Sequence, residues 1–237
     1  FLLYSGYQLQ RRLLIEQTLE TNRIYAVKLA ELTEGFLYSS QHRLAFSAHL
    51  LRDHLDDQAF IEAEIERLRL QLATFNAVYL VSAQGQLLAF SPPNPQLVAD
   101  RHSAGSEEIL LRREPLVSRP FITTTGRLVV ALAQPLFDEQ GTFLGYLGGS
   151  IYLREPSVLN KLLGEHYHRD GSYLYAFAPD RHLLYHNDPH LIGQKLEESE
   201  ITRAVREGRS GSQQVLSERG EEVLAGYAPV QGAGWGV

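Results

Sequence analysis

The sequence predicts an α+β fold in which one long N-terminal helix is followed by two modules, each built on an antiparallel sheet. Three observations predict it. From Leu9 to about Leu55 there is no proline, and apolar residues recur at helical spacing. After residue 75 the pattern changes to short alternating runs separated by turn residues. The hairpin that starts near Tyr79 then returns near Tyr175.

The helical stretch carries Tyr25, Leu29, Leu32 and Phe36, then Leu44, Ala48, Leu51 and Leu55. At ~1.5 Å per residue it would reach roughly 70 Å, and a helix of that length spans something or pairs with a copy of itself. Asp53-His54-Leu55-Asp56-Asp57 interrupts it. A second helix over Gln58 to Phe75 follows, with Asp56 or Asp57 as N-cap and Ile61, Ile65, Leu68, Leu72 and Phe75 as its buried stripe. Val78 to Ser82 and Gln86 to Phe90 flank Ala83-Gln84-Gly85 as a hairpin, and Pro92, Pro93 and Pro95 close the unit. Arg101 to Glu114 is polar with a short helical pattern that Ser106 would cap. Pro120 to Thr125, Arg127 to Phe137 and Thr142 to Leu153 read as strands, the last two joined at Asp138-Glu139-Gln140-Gly141.

The repeat is then visible residue by residue. Tyr79 aligns with Tyr175, Leu87-Leu88 with Leu183-Leu184, and Ala133-Gln134-Pro135-Leu136 echoes Tyr227-Ala228-Pro229-Val230. One fold is used twice, with the helix shared. The expected division is residues 1–57 for the helix, 58–155 for the first module and 156–237 for the second.

Composition narrows the function classes. With 22 basic against 28 acidic residues and no Lys/Arg block, nucleic acid is not an expected partner. There is no cysteine, so neither a disulfide frame nor a thiolate metal site can form. There is no methionine either, even at position 1, so the chain reads as a segment of a longer protein. Phe1-Leu2-Leu3-Tyr4-Ser5-Gly6-Tyr7 is far shorter than the ~20 residues of a spanning helix. It reads either as the stub of a membrane span, with its tyrosines at the interface, or as a frayed helix start.

His182, His186 and His190 stand four apart with Asp188 among them. On a strand, such positions lie about 13 Å apart at ~3.3 Å per residue, too far for two nitrogens each ~2.1 Å from one zinc. The spacing has metal meaning on a helix. We read His186-Asn187-Asp188-Pro189 as the turn leaving a strand, and expect neither metal nor cofactor. No G-x-S-x-G, H-E-x-x-H or G-x-x-x-x-G-K-[ST] occurs, Gly232-Ala-Gly234-Trp-Gly236 lacks a following helix, and Glu165 to Asp170 reads as a solvated connector. The segment is not expected to be an enzyme.

Several stretches resemble a known family. "SRPFITTTGRLVVALAQPLFDEQGTFLGYLGGSIYL", residues 118–153, "HLLYHNDPHLIGQKL", residues 182–196, and "APVQGAGWGV", residues 228–237, are similar in order and character to double Cache (dCache) extracytoplasmic sensor domains, whose two sheet modules are PAS-like. "NRIYAVKLAELTEGFL", residues 22–37, is similar to first helices of such sensors joined to diguanylate cyclases. The resemblance implies a periplasmic domain of an inner-membrane protein, anchored by flanking spans, dimeric through the N-terminal helix and controlling a cytoplasmic output. That output would be a diguanylate cyclase, with a chemotaxis transducer or histidine kinase as alternatives. A ligand-free dimerisation module is a further alternative.

The resemblance also implies a small-molecule pocket between the membrane-distal sheet and the segment covering it, roughly residues 95–122. The candidates there are Tyr79, Arg112, Arg113, Arg119, Phe121, Thr123 and Ser150. Arginine can hold a carboxylate bidentately, so a small organic anion is the expected ligand. Amino-acid-binding members use an Arg-x-Trp-Tyr cluster, a Tyr, and an Asp for the ligand amine; here the cluster is missing, Phe121 stands at the Tyr and Ser150 at the Asp. Arg112-Arg113 also reads as a solvated helix end, Tyr79 as a core residue, and Thr123 and Thr125 as ordinary strand residues.

Overall fold

The structure is a computed structural model and describes residues 2–94, 104–164, 172–217 and 220–237. Helix α1 (Leu2–Arg52) is unbroken, starting before Leu9 and stopping short of Leu55. Its buried face differs from the expected stripe. Leu32 is 42% exposed, while Leu29, Thr33, Leu37, Ser40, Leu44, Ser47, Ala48 and Leu51 are buried. The stripe is partly polar because Thr33 and Ser40 donate their hydroxyls to the carbonyls of Leu29 and Phe36, at 2.8 and 2.7 Å. Self-satisfied in this way, they bury as easily as alanine and let a sheet approach the helix closely.

Helix α2 (Gln58–Leu70) is capped by Asp57, whose carboxylate accepts from the Phe60 amide at 3.0 Å. It buries Ile61, Ile65 and Leu68 against α1, then tightens into a 3₁₀ turn at Gln71–Ala73. The expected helix to Phe75 therefore ends early. Phe75 instead lays its buried ring across Gly149, where an added Cβ would stand 2.5 Å from it.

The first sheet contains β1 (Ala77–Ser82), β2 (Leu87–Ser91), β3 (Leu116–Val117), β4 (Phe121–Ile122), β5 (Leu128–Phe137) and β6 (Phe143–Tyr152). Its order is β2-β1-β6-β5-β3, with β4 also on the outer edge of β5, and all pairs are antiparallel. Helix α3 (Ala104–Arg112) lies between β2 and β3 and already includes Ser106, which is therefore not its N-cap. The strand expected through Thr125 ends at Ile122, because Thr123 to Arg127 forms a tight turn with Gly126 at φ +79. Residues 95–103, including Pro95, lie outside the described residues.

The second sheet follows α4 (Val158–Gly164). Its strands are β7 (Tyr175–Phe177), β8 (Leu183–His186), β9 (Gly211–Leu216), β10 (Glu222–Tyr227), β11 (Pro229–Val230) and β12 (Trp235–Gly236). The order β11-β12-β7-β8 matches the inner order of the first sheet, and the β9–β10 hairpin runs into it through Ala228, which exchanges backbone bonds with Val237 at 3.0 and 3.1 Å. Helix α5 (Glu200–Arg206), capped by Ser199, and the β9–β10 hairpin were not foreseen from the sequence. Both sheets pack against α1, which makes the long helix their common spine. The connector Glu165 to Asp170 lies outside the described residues.

His186 ends β8, and Asp188, extended at φ −92 and ψ 109, caps the 3₁₀ turn Pro189–Leu191. Among the described residues no group of three or more His, Cys, Asp or Glu is placed to hold a metal.

Candidate functional site

The first sheet has two unlike faces, set by strand alternation. One face, with Val78, Leu80, Val130, Leu132, Leu147 and Ile151, is sealed against α1 and α2. The other carries Tyr79, Val81, Ala131, Ala133, Tyr146, Gly148, Ser150 and Tyr152 in register across β1, β6 and β5. Part of it is closed by Ile109 and Leu110 of α3 with Leu116. No strand of this sheet carries a charged side chain. Any charge offered to a ligand on this face must come from the turns and the covering segment.

Tyr79 sits opposite Gly148, and its ring occupies the space a side chain there would need, 2.4 Å from an added Cβ. Glycine is what allows the ring to lie flat on the strand. The ring stacks on Phe90 and meets Tyr146 edge-on, both at 6.2 Å between centroids. Its hydroxyl reaches Ser150, which is only 5% exposed. Burial holds the Tyr79 phenol well above the usual tyrosine value, Tyr146 and Tyr152 adding to the rise while Ser150 opposes it.

Two residues beyond Ser150, the Tyr152 ring lies 5.0 Å under the Arg127 guanidinium. Burial raises the Tyr152 phenol, and Arg127 pulls it part of the way back. Arg127 also pairs with Glu155 through Nε at 2.8 Å. Phe121 stands opposite Val129, which stands opposite Tyr152, so it borders the same end of the face. Tyr79, Ser150 and Phe121 are thus brought to one side of one sheet.

The other expected residues are not gathered with them. The Arg113 guanidinium stacks 5.0 Å over Phe143, at the start of β6. Seven residues of strand separate Phe143 from Ser150, about 23 Å at ~3.3 Å per residue. Arg112 is exposed and pairs with Glu108 at 3.2 Å and Glu114 at 3.5 Å. Arg119 is exposed at the outer edge, next to Ser118, whose hydroxyl accepts from the Ala131 amide. Thr123 is committed to its turn, its hydroxyl 2.9 Å from that of Thr125 and accepting from the Arg127 amide at 3.1 Å. Sequence reading missed Arg127 and Tyr152. The signal for them was a lone arginine directly after a glycine turn, in strand register with a tyrosine two positions from Ser150.

This arrangement of a spine helix and two sheets of like topology, one with an uncharged face, is that of double-module sensor domains. The Cache domain family model matches residues 7–237, and the chain belongs to that family, in its double (dCache) form. Domains of this kind are extracytoplasmic sensor domains of membrane receptors.

Solved structures agree on the fold. The ligand-binding domain of the Pseudomonas fluorescens chemoreceptor CtaA in complex with L-isoleucine is 19% identical, with a TM-score of 0.71 over 98% of this chain and 93% of that one. The ligand-binding domain of the Pseudomonas aeruginosa PAO1 amino acid chemoreceptor PctC in complex with GABA is 21% identical, with a TM-score of 0.69 over 92% of this chain and 97% of that one. An extracellular ligand-binding receptor from Desulfohalobium retbaense DSM5692 is 14% identical, with a TM-score of 0.71; 91% of this chain is covered, but it spans only 39% of that receptor's length. No curated protein sequence matches. Among the described residues no helix is long and apolar enough to cross a membrane.

Proposed function

We propose that the chain is the extracytoplasmic ligand-sensing domain of a transmembrane signalling receptor, and that it binds a small organic anion on the Tyr79–Ser150 face of the first sheet. The observation that carries the reading is the family match together with a sheet face whose polar groups, Tyr79, Ser150 and Tyr152, converge beside one cation, Arg127. Glu155 takes Nε of Arg127 and the Tyr152 hydroxyl is a second partner, so a carboxylate would use the guanidinium N–H groups that these two leave. The solved neighbours bind amino acids, but the strands here offer no carboxylate to an ammonium group, and a buried ammonium needs one. The preferred ligand therefore lacks an α-amine.

In this reading residues 58–155 form the membrane-distal sensing module and residues 156–237 the membrane-proximal one, while residues 1–57 supply the helix. Spans beyond the two ends anchor the domain, and α1 meets a second copy in a homodimer. Ligand and signal are coupled only if the ligand prefers one packing of the helices. The output is a cytoplasmic signalling domain. The chemoreceptor neighbours favour a chemotaxis transducer, and the character of residues 22–37 favours a diguanylate cyclase.

Thermal scans against mono- and dicarboxylates, amino acids and neutral metabolites test the site. A carboxylate should raise the midpoint, and Tyr79→Ala, Ser150→Leu or Arg127→Ala should remove the rise. If all three variants respond like the parent, the site is elsewhere.

A further inference from the structure

A second place in the molecule has ligand chemistry that the sheet face does not use. Between α1 and the end of α2 lies a groove of about 440 Å³, lined by Tyr38, Ser39, His42, Arg43 and Phe46 of α1 with Arg67 and Gln71. Its size falls within the usual range for small-molecule sites. The α1 wall is a row of rings at one-turn spacing. Tyr38 and His42 meet edge-on at 4.3 Å between centroids, and Phe46 follows four residues on. Tyr38 is 67% exposed and Phe46 59%, so large ring surface faces the open groove.

The two arginines are not equivalent. Arg67 is spent: Nε and Nη2 each reach Glu64 at 2.7 Å, and Nη1 donates to Gln71 at 2.9 Å. Arg43 is fixed by a single bond from Nη1 to the buried Thr74 hydroxyl at 2.9 Å. Among the described residues no carboxylate forms an ion pair with it. The groove therefore presents one oriented, uncompensated guanidinium beside three rings.

We propose that this groove is a second ligand site, taking a small aromatic carboxylate whose anion pairs with Arg43 and whose ring packs on Tyr38, His42 and Phe46. A guanidinium held by one hydroxyl keeps an edge for bidentate carboxylate binding, and the rings supply the apolar wall that such a ligand needs. A molecule there touches both α1 and the end of α2, so one that prefers a particular packing of the two biases it independently of the sheet face.

The test is isothermal titration with benzoate, with benzamide as the neutral control. Benzoate should bind, and benzamide should bind at least about tenfold more weakly, as should benzoate to Arg43→Gln, because a charged hydrogen-bonded pair is lost. Phe46→Ala removes an exposed ring without touching the core and should weaken benzoate severalfold. It and the benzamide comparison decide the matter if Arg43→Gln folds poorly. Ser150→Leu should leave benzoate binding unchanged. The proposal is overturned if benzoate does not bind, or if it binds Arg43→Gln and Phe46→Ala as it binds the parent. Loss in Ser150→Leu would place the anion on the sheet and leave the sensing function standing. Binding that vanishes as protein concentration rises would mean that a second copy fills the groove, and would also overturn it.

Discussion

Tyr79 and Tyr175 occupy matching positions in the two sheets. Phe90 faces one and His186 the other, and the register shift falls between Leu80 and Val81 in the first hairpin and between Ala176 and Phe177 in the second. Around this shared frame the faces are furnished differently. In the first sheet the residue after the shift is small, Val81, and its neighbour on the next strand is large, Tyr146. In the second the residue is large, Phe177, and its neighbour is Gly236. Phe177 fills the room over Gly236 together with Val205 of α5, which would stand 2.3 and 2.8 Å from an added Cβ. Tyr175 joins Tyr173, His186 and Phe177 in a row of rings. Tyr79 has Gly148 beneath it and Ser150 at its hydroxyl. The same backbone thus gives one face plugged by Phe177 against α5 and one on which Tyr79 stands over Gly148 and meets Ser150.

Substitutions that empty or fill these faces break the comparison most severely. Phe177→Ala should cost about 3–5 kcal/mol of stability, since the ring packs between Gly236 and α5, whereas the matching Val81→Ala should cost roughly 2 kcal/mol. Denaturant unfolding of both variants measures the difference; equal losses would show that Phe177 is no plug. Gly148→Ala is the next step down. The new methyl meets the Tyr79 ring, so it should destabilise by about 1–3 kcal/mol and also abolish any carboxylate response.

The fold was readable because its signals are long and periodic. Fifty residues without proline specify α1, and two hairpins with matching turns specify a repeated sheet. Helix α5 and the β9–β10 hairpin were not readable: the helix is seven residues long, and Gly211–Leu216 is mostly polar. At the site, Tyr79, Phe121 and Ser150 were legible as strand positions. The arginines were not, because a side chain's reach depends on which end of a strand it stands over. Arg113 belongs to the covering segment yet stacks on Phe143, while Arg127, read as the first residue of a strand, enters from a turn.

A subtler contrast lies in titration. The Tyr79 phenol is raised in the folded chain, so the unfolded chain ionises first as pH climbs past about 10. The stability tied to the neutral hydroxyl is complete below that pH and is lost as pH rises toward the folded value. Unfolding free energy should therefore fall with alkaline pH, and Tyr79→Phe should flatten the fall by the share of this one group. A slope unchanged in Tyr79→Phe would mean that its hydroxyl is not shielded.

The claim at the centre is that the first sheet's uncharged face receives the ligand while the second sheet's face is already filled. Amide hydrogen exchange, with and without the carboxylate that gives the largest thermal shift, tests it most directly. Protection should be greatest in Phe143–Tyr152 and in the turn from Thr123 to Arg127. Protection greatest in Tyr175–Phe177 and Glu200–Arg206 would contradict the account.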